Sequence, residues 1–99
     1  MGVRTSGVTL VDRSVTITTG GTAQTAAVAR RAREYLFIQN PSGSGGSLWF
    51  STNATAVAAS PSIELVAGAS YESLLDAAGL GAVSVIHPTT GTKITVREG

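Results

Sequence analysis

The feature that most constrains this chain is the run Arg33-Glu-Tyr-Leu-Phe-Ile-Gln-Asn40. Side chains alternate between the two faces of a strand. Tyr35, Phe37 and Gln39 therefore point one way and Leu36 and Ile38 the other. Apolar groups on both faces need cover on both, which implies a central strand or one covered by a partner. Asn40-Pro41 ends the run, because proline has no N–H for the ladder and biases its predecessor. The Gly/Ser loop Ser42–Ser47 follows, and Leu48-Trp-Phe50 opens the next strand. Leu48 and Phe50 share a face, so Trp49 takes the opposite one. Four of the five aromatic residues lie in these two runs.

Shorter alternating runs surround this pair. Val15 and Ile17 share one face of Ser14–Thr19, with hydroxyl residues on the other. Gly20-Gly21 reads as a hairpin turn, since both residues accept positive φ. Thr22–Ala29 is alanine-rich enough for a helix, but its place between a Gly-Gly turn and another strand favours a strand. Ser62–Val66 reads as a strand with Ile63 and Leu65 inward, and Tyr71–Leu74 as a further extended piece. Ala82–Ile86 puts Val83 and Val85 inward, with Glu64 on a solvated face of its own strand. His87–Thr92 is rich in turn formers, and Lys93–Arg97 alternates to the end, so the last two strands are expected to form a hairpin. Leu75–Gly81 reads as a loop with at most one helical turn. Seven or eight short strands and no long helical pattern predict an all-β fold: a small antiparallel β-sandwich or a jelly-roll-like barrel. The expected organisation is an N-terminal arm over residues 1–13 and a single domain over 14–99.

Ninety-nine residues make one modest core. Apolar residues are 42% of the chain, yet many are alanine, so help is expected from oligomerisation or from docking on a larger partner. Seven basic residues against six acidic ones leave no dense basic face for nucleic acid. The chain has no cysteine and a single histidine, which excludes a thiolate or histidine-rich metal site. No apolar run approaches the roughly 18 residues of a membrane span, and no signal peptide is legible. The start Met1-Gly-Val-Arg-Thr-Ser6 fits the loose myristoylation pattern without a second membrane signal, and reads as an ordinary N-terminus. Asn53-Ala-Thr55 reads as a chance sequon.

Chemistry needs converging groups, and the residues offer few. A Ser-His-Asp set would have to recruit His87 with Asp12 or Asp76, and no nucleophile elbow supports it. His87, next to Pro88, reads as a turn residue. The glycines of Gly43–Gly46 lack the Lys-Ser/Thr of a phosphate loop. No catalytic, cofactor-binding or metal-binding residue is expected. The residues expected to meet a partner are Trp49 on its outer face, the basic cluster Arg30, Arg31 and Arg33, the apolar pair Leu36 and Ile38, and Val8 and Leu10 of the arm. That arm reads either as a mobile tail or as a strand that pairs with a neighbouring subunit. The arginines read either as a solvated edge or as a salt-bridging patch.

Tyr35-Leu-Phe-Ile-Gln-Asn-Pro-Ser42, Leu48-Trp-Phe50, Ala59–Glu72 (with Ser62-Ile-Glu-Leu-Val-Ala-Gly-Ala-Ser-Tyr71 inside it), Ala82–Ile86 and Thr90-Gly-Thr-Lys93 together resemble small structural proteins of tailed bacteriophages. The resemblance spans about residues 30 to 99 and consists of strand and turn residues without a catalytic signature. It implies a virion protein with a sandwich or jelly-roll fold, assembled in the bacterial cytoplasm and placed on the capsid surface. The implied role is capsid decoration, or cementing, through contacts with the major capsid protein or other virion subunits, as a homo-oligomer (dimer or trimer), without nucleic acid, membrane or cofactor. A head- or tail-attached adaptor, or an adhesion or carbohydrate-binding module, is the alternative.

Overall fold

The computed structural model describes residues 9–74 and 81–99, with the Leu74 side chain left aside. Val8, and residues 75–80 of the segment expected to be a loop, lie outside the described residues. The described residues form nine strands: β1 (Val11–Asp12), β2 (Val15–Thr16), β3 (Gln24–Ala27), β4 (Tyr35–Gln39), β5 (Leu48–Ser51), β6 (Ile63–Leu65), β7 (Ser70–Leu74), β8 (Val83–Ile86) and β9 (Lys93–Glu98). The pairs Val11↔Glu98 and Val15↔Ile94 keep one register, so β1 and β2 are two halves of a single edge strand on β9. That edge begins at Val11, inside the span expected to be an arm.

One sheet has the order β1/β2-β9-β4-β7 and the other β3-β8-β5-β6, with every pairing antiparallel. From β2 onward the chain passes to the opposite sheet at every connection except β5–β6. Eight strand positions wound this way form a jelly roll. Sheets in this arrangement each have one face in the core and one outside, which explains the alternating residue pattern.

The core lies between the sheets. Leu36 and Ile38 of β4 and Val96 and Ile94 of β9 face Leu48 and Phe50 of β5 and Val83 and Val85 of β8, all almost completely buried. Tyr71 of β7 tilts against Phe50 across the gap, with ring centroids 4.9 Å apart at 54°. These two rings fill the space that the many alanines leave open.

Three expectations are corrected here. Gly20-Gly21 does not close a hairpin, because β2 pairs with β9 and β3 with β8. The β8–β9 connection is likewise a crossover between sheets. The two crossovers lie side by side: the Gly21 N–H donates to the His87 carbonyl at 2.9 Å, and the Gly91 N–H to the Ile17 carbonyl at 2.8 Å. Turn residues specify that a chain reverses, but sheet identity depends on which partner the next strand finds. Ile63 is also not inward in effect. It shares the face of Phe50 by register, but it sits on the edge strand and is 45% exposed.

Candidate functional site

The outer face of the second sheet carries the most distinctive surface. Leu48 and Phe50 occupy the core, so Trp49 between them projects outward and is half-buried. Register sets Trp49 directly opposite Ile86 on β8 and Glu64 on β6. Trp49, Ile86 and Pro88, with Ala58, Ser47 and Gly21, line a pit of about 220 Å³. An indole and an aliphatic chain on neighbouring strands, walled by proline, make an apolar socket with a polar rim.

A rigid knot holds one wall of this socket. His87 continues the inward parity of Val83 and Val85 and is fully buried. Its Nδ1 accepts the Thr89 N–H at 3.0 Å, and its Nε2 lies 3.1 Å from the Gly46 carbonyl. That pattern assigns the neutral tautomer with the proton on Nε2. Burial pushes the His87 pKa down, against the opposing bond to Gly46. The Gly46 carbonyl also accepts Asn40 Nδ2 at 2.8 Å and Ser44 Oγ at 2.9 Å. Gly46 packs so close that an added Cβ would lie 2.6 Å from Pro88 Cγ.

The β5–β6 connection covers the remainder of this face. Ala56 is buried, its N–H donating to Ser84 Oγ at 2.9 Å, and the Val57 N–H donates to Ser62 Oγ at 3.0 Å. Ser60–Pro61 in this loop is a cis peptide. Between the loop and β3 runs a groove of about 440 Å³ with an uncharged lining that includes Gln24, Thr25, Thr52, Asn53 and Ser84.

The other residues expected to meet a partner are placed differently. Leu36 and Ile38 are 0% exposed and belong to the core, so they cannot be a docking surface. The outer face of β4 is instead that of Tyr35, Phe37 and Gln39. Arg33 is buried, donating from Nε to Glu98 Oε1 at 2.8 Å and from its Nη atoms to the Gly81 and Val28 carbonyls. Arg30 Nη1 lies 3.9 Å from Glu98 Oε2, and Arg13 Nε donates to the same oxygen at 2.9 Å. The basic cluster is thus largely turned inward onto a carboxylate, and only Arg31 is exposed. Leu10 is 47% exposed just before β1.

Glu98 and His87 are buried titratable residues that sequence reasoning missed. The signal was parity. Glu98 follows Ile94 and Val96, and His87 follows Val83 and Val85, on the inward side of their strands. Burial pushes the Glu98 carboxyl up, but hydrogen bonds from Arg33 and Arg13, with their charges, outweigh it and hold it below the ordinary range.

Among the described residues no group of three or more His, Cys, Asp or Glu gathers where a metal could sit, and no helix is long and apolar enough to cross a membrane. No protein-family model, no curated protein and no solved structure matches the chain.

Proposed function

We propose that this chain is a structural subunit of a bacteriophage virion, a capsid decoration or cement protein that acts by protein–protein contact. The observation that carries the reading is the Trp49–Ile86–Pro88 socket, an apolar surface on the outside of a sheet that already has a complete core on its inner side. Aromatic anchors of this kind dominate interface energetics when a partner buries them. The likeness of residues 30–99 to small phage structural proteins points to the shell as that partner. A repetitive shell suits a small module, since simultaneous contacts can raise avidity roughly 10²-fold or more over one contact.

The test is to add purified protein to shells that lack it and then heat them. Binding with a gain in heat resistance, both lost with Trp49→Ala, supports the reading. Absence of binding overturns it. Copy number separates decoration from an adaptor, with hundreds per particle for the first and a dozen or fewer for a neck or tail component. One observation favours a second reading, carbohydrate binding: the hydroxyl- and amide-lined groove on the same face as Trp49. A glycan array reporting no binder would remove it.

A further inference from the structure

The outer face of the first sheet carries a row of residues level with one another across four strands. Register places Asp12, Arg97, Phe37 and Glu72 side by side on β1, β9, β4 and β7. Phe37 is half-buried and the three charged residues are exposed. Neighbouring strands lie about 4.8 Å apart, so Arg97 and Glu72 flank Phe37 at roughly 10 Å from each other. Among the described residues neither forms an ion pair within the chain. Tyr35, on the same face, donates its hydroxyl to Glu72 Oε2 at 2.8 Å and holds that carboxylate near the aromatic stripe. The next level, Thr95, Gln39 and Ser70, is neutral.

We propose that this face docks a second copy of the chain, through a two-fold axis parallel to β4. Two sheets stacked face to face and related by a dyad have that axis in the plane between them. With the axis along β4, Phe37 meets Phe37 of the other copy, and Arg97 of each copy lies over Glu72 of the other. With the axis across the strands, Arg97 meets Arg97 and Glu72 meets Glu72, and like charges repel. The order cation, aromatic ring, anion across three adjacent strands therefore selects one pairing. Asp12, one strand further out, falls at the rim. Stacked sheets sit about 10 Å apart with strands aligned to within about 30°, a spacing that facing phenylalanines and tyrosines fill.

The face measures four strands by about 20 Å, a footprint on the order of 400 Å² per copy. Stable interfaces bury about 800 Å² per partner, so this pairing is weak between free molecules and gains when copies are held close. The Trp49 socket lies on the opposite sheet, so a dimer presents two of them outward. The inference does not depend on the virion reading.

Sedimentation velocity tests it, from about 10 μM to about 1 mM protein, the range suited to an interface this small. The wild type should shift toward dimer with concentration, less so as salt is added. Arg97→Glu and Glu72→Arg should each remain monomeric, because each sets like charges on both sides of Phe37. An equimolar mixture of the two should dimerise again, since every contact across the face is then between opposite charges. A wild type that stays monomeric leaves the face to a different protein and overturns the proposal. So does a wild-type dimer that either reversal leaves intact, or a mixture that stays monomeric. Circular dichroism checks that both variants fold. If one does not, Arg97→Gln and Glu72→Gln replace them, and a dimer affinity unchanged in both overturns the proposal equally.

Discussion

Arg33 and Glu98 are 65 residues apart in the chain, yet Nε of the first donates to Oε1 of the second at 2.8 Å, with both side chains essentially inaccessible to water. The pair joins the segment before β4 to the end of β9 at one end of the sandwich. A buried ion pair is not by itself a source of net stability, but removing Arg33 leaves Glu98 Oε1 buried without its donor, with only the part-exposed Arg13 and the more distant Arg30 on Oε2. Arg33→Met should therefore cost about 3–5 kcal/mol, read from denaturant unfolding. The double variant Arg33→Met/Glu98→Met should recover part of that loss. A single variant as stable as the wild type would show that the pair is expendable.

Acid should destabilise the protein in two windows. The folded-state pKa of His87 lies below its ordinary 6.5, so the unfolded chain takes up that proton more readily. The contribution is fully present above 6.5 and declines as pH falls from there toward the folded value. The Glu98 pKa lies below its ordinary 4.5, so its contribution is present above 4.5 and is lost as pH falls through the lower folded value. His87→Gln should lower stability at neutral pH and flatten the upper window only. Thermal melts across pH check this, and an unchanged upper window would remove His87 as its source.

The two aromatic neighbours on β5 should separate folding from binding. Phe50 is 1% exposed, so Phe50→Ala should cost about 3–5 kcal/mol. Trp49 is half-buried on the outer face, and Trp49→Ala should weaken assembly far more than it lowers the melting temperature. An unfolded Trp49→Ala would make the indole a core group. Phe37, half-buried on the other sheet, should cost only about 1–2 kcal/mol as alanine.

Glycines at the crossovers should differ by what surrounds them. A Cβ at Gly20 would run into the Pro88 backbone carbonyl of the neighbouring crossover, whereas one at Gly43 meets nothing within 4 Å. Gly20→Ala should therefore destabilise by about 1–3 kcal/mol, since backbone must move. Gly43→Ala should be nearly neutral. Equal melting temperatures for the two would show that the crossovers yield easily.

The local character of the chain was legible from its residues. Alternation separated Leu36 and Ile38 from Tyr35 and Phe37, placed Val83 and Val85 on an inward face, and set Leu48 and Phe50 opposite an outward Trp49, because side-chain parity along a strand is a property of the backbone itself. Ala-rich Thr22–Ala29 was read as a strand from its setting, and β3 lies within it. Partnering was not legible. Leu36, Ile38 and Arg33 were assigned to a docking surface, and they turned out to be covered by β5, β8 and Glu98. The row formed by Arg97, Phe37 and Glu72 comes from three distant segments, and nothing in any one of them announces it. Which strand lies beside which is decided by burying the whole apolar set at once, a long-range balance. Parity and turn chemistry are settled within a few residues, so the sequence alone determined them, and only the folded sandwich decided which faces remained outside.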